Sequence, residues 1–101
     1  MLNSIHLIGN LADDPETGKA KATDLTKFVV ISNGRTDAQK AVLPVTTFGK
    51  VAAYAAGLRK GHRVLVIGRL QTDRWQTEDG QPRSKTSAIA ELVIPIEQPK
   101  R

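Results

Sequence analysis

The chain has 101 residues, 40% hydrophobic and 25% charged, which bounds it to one small domain with a modest core and argues against disorder. With no cysteine there is no disulfide framework, thiol nucleophile or Cys-based zinc site, and with no long apolar run and no leader pattern the expected location is the cytoplasm. A net charge of +5 favours an anionic partner, although many small domains are basic for solubility alone.

Asn3 to Ala12 alternates loosely around Ile5, Leu7 and Leu11 and reads as a first strand, with Gly9 marking a bulge or sharp bend. Asp13 to Asp24, rich in turn formers and charge, reads as a loop. A second strand spans about Leu25 to Asn33, where Phe28 belongs to a continuous apolar run and is assigned to the core. Asn33-Gly34 signals a turn, and Arg35 to Lys40 continues as a polar loop. The third strand is Val42 to Phe48, with Pro44 expected at an edge or strand end because it lacks an amide donor.

Lys50 to Arg59 is the one helical pattern, with Val51, Ala55 and Leu58 on one face beside Ala52, and Gly61 suited to a left-handed cap. Tyr54 falls on its surface or packing side. A long strand from His62 to about Thr77, bent near Gly68, leads through an Asp79-Gly80 hairpin turn to a last strand from about Pro82 to Ile96. The result is all-β with one short helix between the third and fourth strands. That is the order of the OB-fold, a five-stranded Greek-key barrel that binds oligonucleotides or oligosaccharides. The barrel domain is expected over residues 1–97, with 98–101 a short basic tail.

The cations cluster: Lys50, Arg59, Lys60, Arg63, Arg69, Arg74, Arg83 and Lys85 lie between the third strand and the start of the last, with Asp73, Glu78 and Asp79 as the acidic residues among them. One such residue alone is usually a solvated charge; together they make an electrostatic groove. Trp75, the only tryptophan, is flanked by Asp73, Arg74 and Gln76 in a polar hairpin arm. Such a ring either stacks on a nucleic-acid base or packs under its own hairpin or a subunit contact. Catalysis has little support. Thr17-Gly18-Lys19 looks like part of a phosphate loop, but Ala20 stands where Ser or Thr is required and Asp13 where the first glycine belongs. His6 and His62 are far apart and lack Cys partners or a helical His pair, so neither metal nor cofactor is implied.

Several segments in order resemble the single-stranded DNA-binding protein (SSB) family: Met1-Leu2-Asn3, Leu7-Ile8-Gly9-Asn10-Leu11 with Asp14-Pro15-Glu16, Thr47-Phe48-Gly49-Lys50, Leu58-Arg59-Lys60-Gly61, and Val66 to Thr72 followed by Trp75. The resemblance covers nearly the whole chain. It implies base stacking by Trp75 and Phe48, phosphate contacts by Lys50, Lys60 and Arg74, and a homotetramer. Arg69, Arg63 and Arg83 extend the basic track. In the nearest alternative the chain is a primosomal replication-restart protein, dimeric and SSB-like, that touches helicase-loading partners. A protein-interaction OB module meeting an acidic partner, or an RNA-binding domain, are further alternatives. Three departures stand out. Ser32 to Lys40 carries no aromatic, Val42 stands where the family has a tryptophan, and Gln98 to Arg101 is short and basic where the family has an acidic tail. The resemblance therefore does not extend to tail-mediated recruitment.

Overall fold

A computed structural model describes residues 2–34, 36 and 38–96. The short tail expected at 98–101, like the domain boundary at 97, lies outside these. The elements run β1 (Ile5–Leu11), β2 (Glu16–Ala20), β3 (Thr23–Asn33), β4 (Lys40–Phe48), α1 (Gly49–Ala55), β5 (Arg63–Gln76) and β6 (Pro82–Pro95). They form one sheet in the order β1-β5-β6-β4-β3-β2, and a β1–β3 pairing at Asn10 and Leu11 closes it into a barrel. β1, β3, β4, β5 and β6 are the five barrel strands of an OB-fold, with α1 between β4 and β5.

The sixth strand corrects the expectation of a loop over Asp13 to Asp24. β2 pairs with β3 from Glu16↔Lys27 to Ala20↔Thr23, turning through Lys21 and Ala22, both at positive φ. Its sequence, Glu-Thr-Gly-Lys-Ala, offers no apolar alternation, and its turn has neither Gly nor Asn. Backbone pairing to β3 makes this strand, helped by a Lys19–Asp24 ion pair at 2.6 Å.

The core is small: Val30, Val45, Val64 and Val66 are fully buried, with Phe28, Leu11, Leu58 and Val93 around them. Ala52 and Ala55 bring α1 against it, on the face the periodicity marks. The helix stops at Ala55, short of the expected Arg59. Gly57 and Leu58 turn back with amides donated to Tyr54 and Ala55 carbonyls, a tighter i→i−3 pattern that glycine favours. Leu58 stays buried beyond the helix end.

Two buried hydroxyls brace this region, one tying β3 to the helix and one tying β4 to β3. Thr26 Oγ1 donates to the Ala52 carbonyl and Thr47 Oγ1 to the Thr26 carbonyl, each at 2.8 Å. Thr26→Val keeps the shape and removes a donor. We expect a loss of about 1 kcal/mol and a fall in Tm of about 4–8 °C, checked by calorimetry at one protein concentration.

Two glycines shape the barrel. Gly9 is no bulge, since β1 stays in register with β5 through Gly9↔Val64. It is a close approach at the seam where β1 passes from β5 to β3: a Cβ there would lie 2.5 Å from the Ile31 carbonyl oxygen. Gly68 does sit at the expected bend, where the register with β6 jumps from Ile67↔Leu92 to Gly68↔Ala90 and Glu91 bulges out. Beyond it every β5 residue is exposed, while β6 stays in the barrel as far back as Ser87, so Thr72 to Gln76 and Pro82 to Thr86 project as a free ribbon. Pro44 pairs with Val29 in β3, while the β4–β6 contact holds only Val45 and Thr46. Pro44 thus lies within an interior strand and not at the edge or strand end expected, and it is tolerated where the pairing with β6 has not yet begun.

Candidate functional site

Strand alternation decides what faces outward. In β3 and β4, Thr26, Phe28, Val30, Val45 and Thr47 point into the barrel, so the register places Leu25 beside Phe48, Lys27 beside Thr46, Val29 beside Pro44 and Ile31 beside Val42 on the outer surface. Phe48 is 42% exposed and Val42 61%. Phe48 therefore lies outside the barrel core, and Val42 presents apolar surface on the same face.

On the ribbon, Trp75 lies opposite Arg83 and Asp73 opposite Lys85, on one face. Gln71, two residues before Asp73, donates to its carboxylate at 3.1 Å. The other face carries Thr72 and Thr86, hydroxyl to hydroxyl at 2.8 Å, and Arg74 opposite Ser84. Trp75 is 48% exposed, so half its ring surface remains open to a partner. Arg74, Trp75, Pro82 and Arg83 border a hollow of about 470 Å³ at the ribbon tip, with Arg74 meeting it from the opposite side to Trp75. At the turn, Thr77 Oγ1 donates to the Asp79 carboxylate, which holds that carboxyl below its ordinary range.

Between the β3–β4 face and the ribbon lies a cleft of about 370 Å³, lined by Lys27, Pro44, Thr46, Lys85 and Ser87 and walled by Asp13, Asp14, Glu16 and Asp73. The cleft is of mixed charge, with Asp13, Asp14 and Glu16 joining the acidic residues that lie among the cations in sequence. The fold lays the acidic 13–16 segment over it, across a distance that a linear count of charges does not see. Lys27 belongs with the candidate residues and was missed. The signal was available, because alternation about buried Phe28 turns Lys27 outward.

The predicted cations divide into groups. Lys50 follows Phe48 by two residues, in the first turn of α1, and is exposed. Arg83 flanks Trp75 and donates to the Gln81 side chain at 3.2 Å. Arg69 is drawn to Glu91 at 3.9 Å, a half-exposed pair that costs little to break. Lys60 and Arg63 sit on the far side of the Asp13–Asp14 wall. The Lys60 amide donates to the Asp14 carboxylate at 2.8 Å, and Arg63 Nε to Asn10 Oδ1 at 3.3 Å. Among the described residues no group of three His, Cys, Asp or Glu side chains is placed to hold a metal, and no helix is long and apolar enough to cross a membrane.

Comparison with known proteins gives these features a context. The model of the "Single-strand binding protein family" matches residues 2–96. A single-stranded DNA-binding protein of Aquifex aeolicus is 35% identical over 109 residues, covering 99% of this chain and 74% of that protein. The corresponding protein of Thermus aquaticus is 33% identical, covering 99% of this chain but 39% of its own length. In three dimensions the fold matches the crystal structure of a deletion mutant of the Thermus aquaticus single-stranded DNA-binding protein, with a TM-score of 0.82 at 27% identity, over 99% of this chain and 43% of that one. The chain thus spans most of the Aquifex relative and under half of the Thermus one.

Proposed function

Since this chain belongs to the single-strand binding protein family, we propose that it binds single-stranded DNA without sequence preference, as a non-enzymatic component of replication, recombination or repair in the cytoplasm. The observation that carries the reading is the pair of half-exposed aromatic rings, Trp75 and Phe48, on outward faces bordered by cations. Bases have π-faces whatever their identity, so stacking on such rings is tolerant of sequence. Lys27, Lys50, Arg83 and Lys85 hold phosphates along the cleft, with Arg69 released from Glu91 and Arg74 reaching from the ribbon's other side. Lys60 and Arg63 extend the track past the acidic wall. The carboxylates lining the cleft keep phosphates to its rim and leave its interior to bases.

The reading includes a homo-oligomer, a tetramer with a dimer as the alternative. The outer face of β1, β5 and β6 supports it: Ile8, Leu65 and Ile94 lie side by side across the three strands, and Ile67 beside Leu92. Ile8, Leu92 and Ile94 are all more than a third exposed, a contiguous apolar patch of the kind that marks subunit contacts. Several barrels linked in this way raise affinity for one long strand through effective concentration. Replication or primosome proteins are the protein partners this role brings into reach.

Fluorescence titration with poly(dT) and with a duplex, at several salt concentrations, tests the DNA reading. Quenching of Trp75 by the single strand alone supports it, and absence of binding even at low salt sinks it. Each phosphate contact contributes a log–log salt slope of about −0.7. Lys85→Ala and Arg83→Ala are therefore each expected to shallow the slope by about that amount, equally on dT and dC. Light scattering distinguishes tetramer from dimer.

A further inference from the structure

A second concavity lies away from the cleft, between the turn that follows α1 and the end of β6. Its volume is about 600 Å³, within the 300–1,000 Å³ range of ligand pockets. Leu58, Pro95 and Ile96 give it an apolar floor, while Tyr54, His62 and Arg63 form its wall. Tyr54 is 44% exposed, so its ring is not committed to the core.

The polar groups of the wall have donors to spare. Arg63 Nε is engaged by Asn10 Oδ1, but among the described residues no carboxylate lies within ion-pair distance of its guanidinium. His62 Nδ1 accepts the Arg59 amide hydrogen at 3.1 Å, which puts the proton of the neutral ring on Nε2 as a donor. Arg59 is occupied, its Nη1 donating to the Leu58 carbonyl at 2.7 Å. An apolar floor, an aromatic wall and a cationic edge together suit a planar, uncharged ring joined to an anion. A nucleotide has that composition, whereas a bare phosphate would leave the floor unused.

A hydrogen bond links the turn that borders the pocket to the end of the cleft. Asp14 lines the cleft and its carboxylate holds the amide of Lys60, while the neighbouring Gly61 amide donates to the Leu11 carbonyl at 2.9 Å. The turn bearing Lys60, Gly61 and His62 is thereby fixed against the end of the cleft, with Lys60 between the two concavities. We infer that this pocket is a second nucleotide subsite on the path of the same DNA strand. It seats one base against Tyr54 and the adjoining phosphate on Arg63 and His62 Nε2–H. The inference rests on the proposed binding of single-stranded DNA and adds a site beyond the Phe48–Trp75 cleft.

Length dependence tests it. Affinity is measured by anisotropy for labelled oligo(dT) at the short and long ends of the range of about 4–16 nucleotides per barrel. Tyr54→Ala should leave the short strand's affinity and its quenching of Trp75 unchanged, which also reports an intact fold. On the long strand it should lose roughly tenfold, the scale of one lost stacking contact. Arg63→Gln should shallow the long strand's salt slope by about 0.7. Equal affinity of Tyr54→Ala and the parent chain at both lengths overturns the subsite, as does an equal loss at both. A change in light-scattering mass without a length effect overturns it in favour of a subunit contact. If the parent chain binds neither strand, the broader DNA reading fails, an outcome distinct from these.

Discussion

Alanine at Trp75 is expected to weaken binding of oligo(dT) by about 1–3 kcal/mol, or roughly 5- to 150-fold. The ring is 48% exposed and faces Arg83 across the ribbon, away from any core contact. Truncation therefore removes a stacking surface and little packing, so Tm should hardly move. Because Trp75 is the only tryptophan, the variant loses the intrinsic signal, and anisotropy of a labelled strand is the measurement to use. Trp75→Phe should keep most of the affinity, since a smaller π-face still stacks. With 4% aromatic residues the chain has few rings to share the load, which places this loss toward the upper part of the range. A loss under twofold, with a change in oligomeric mass, would instead assign the ring to a subunit contact.

The second large effect is on the fold. Gly68→Val is expected to cost about 3 kcal/mol, lowering Tm by roughly 12–24 °C. A Cβ at this position would lie 2.1 Å from the Ile89 carbonyl oxygen and 2.9 Å from the Ala90 Cα. Both are backbone atoms of the paired strand, so no rotamer change relieves the overlap. β5 must separate from β6 at the bulge that precedes the ribbon. Binding should fall with stability, because that bulge sets the aim of the ribbon carrying Trp75 and Arg83. Gly18→Ala is the control. Nothing lies within 4 Å of its added Cβ, and thermal melts at one protein concentration should barely differ from the parent. If Gly68→Val melts like the control, the strands at the bulge have more slack than their register implies.

Much of this was legible in the chain itself. The apolar run Phe28 to Ile31 marked β3 as a strand with Phe28 in the core, helical spacing marked the apolar face of α1, and Asp79-Gly80 marked the hairpin joining the two longest strands. Alternation also dictates that consecutive residues of a strand face opposite ways. Arg74 and Trp75 could therefore have been separated without coordinates, and Lys27 recognised as outward beside buried Phe28. The order of the segments was enough to bring the fold and the family into view.

Other features belong to tertiary structure alone. β2 exists because β3 offers it backbone partners; its own residues favour a loop and its turn uses Lys21 and Ala22 at positive φ. The helix ends early where Gly57 admits a tighter turn. Asp13, Asp14 and Glu16 wall a cleft whose opposite side comes from residues dozens of positions away, and the Asp14–Lys60 bond joins that cleft to the pocket beside Tyr54. Local pattern determines which side of a strand a residue faces, because that depends only on backbone geometry within a few residues. Which faces meet across the barrel depends on long-range pairing, and that pairing decided the charge of the cleft and the neighbours of Trp75.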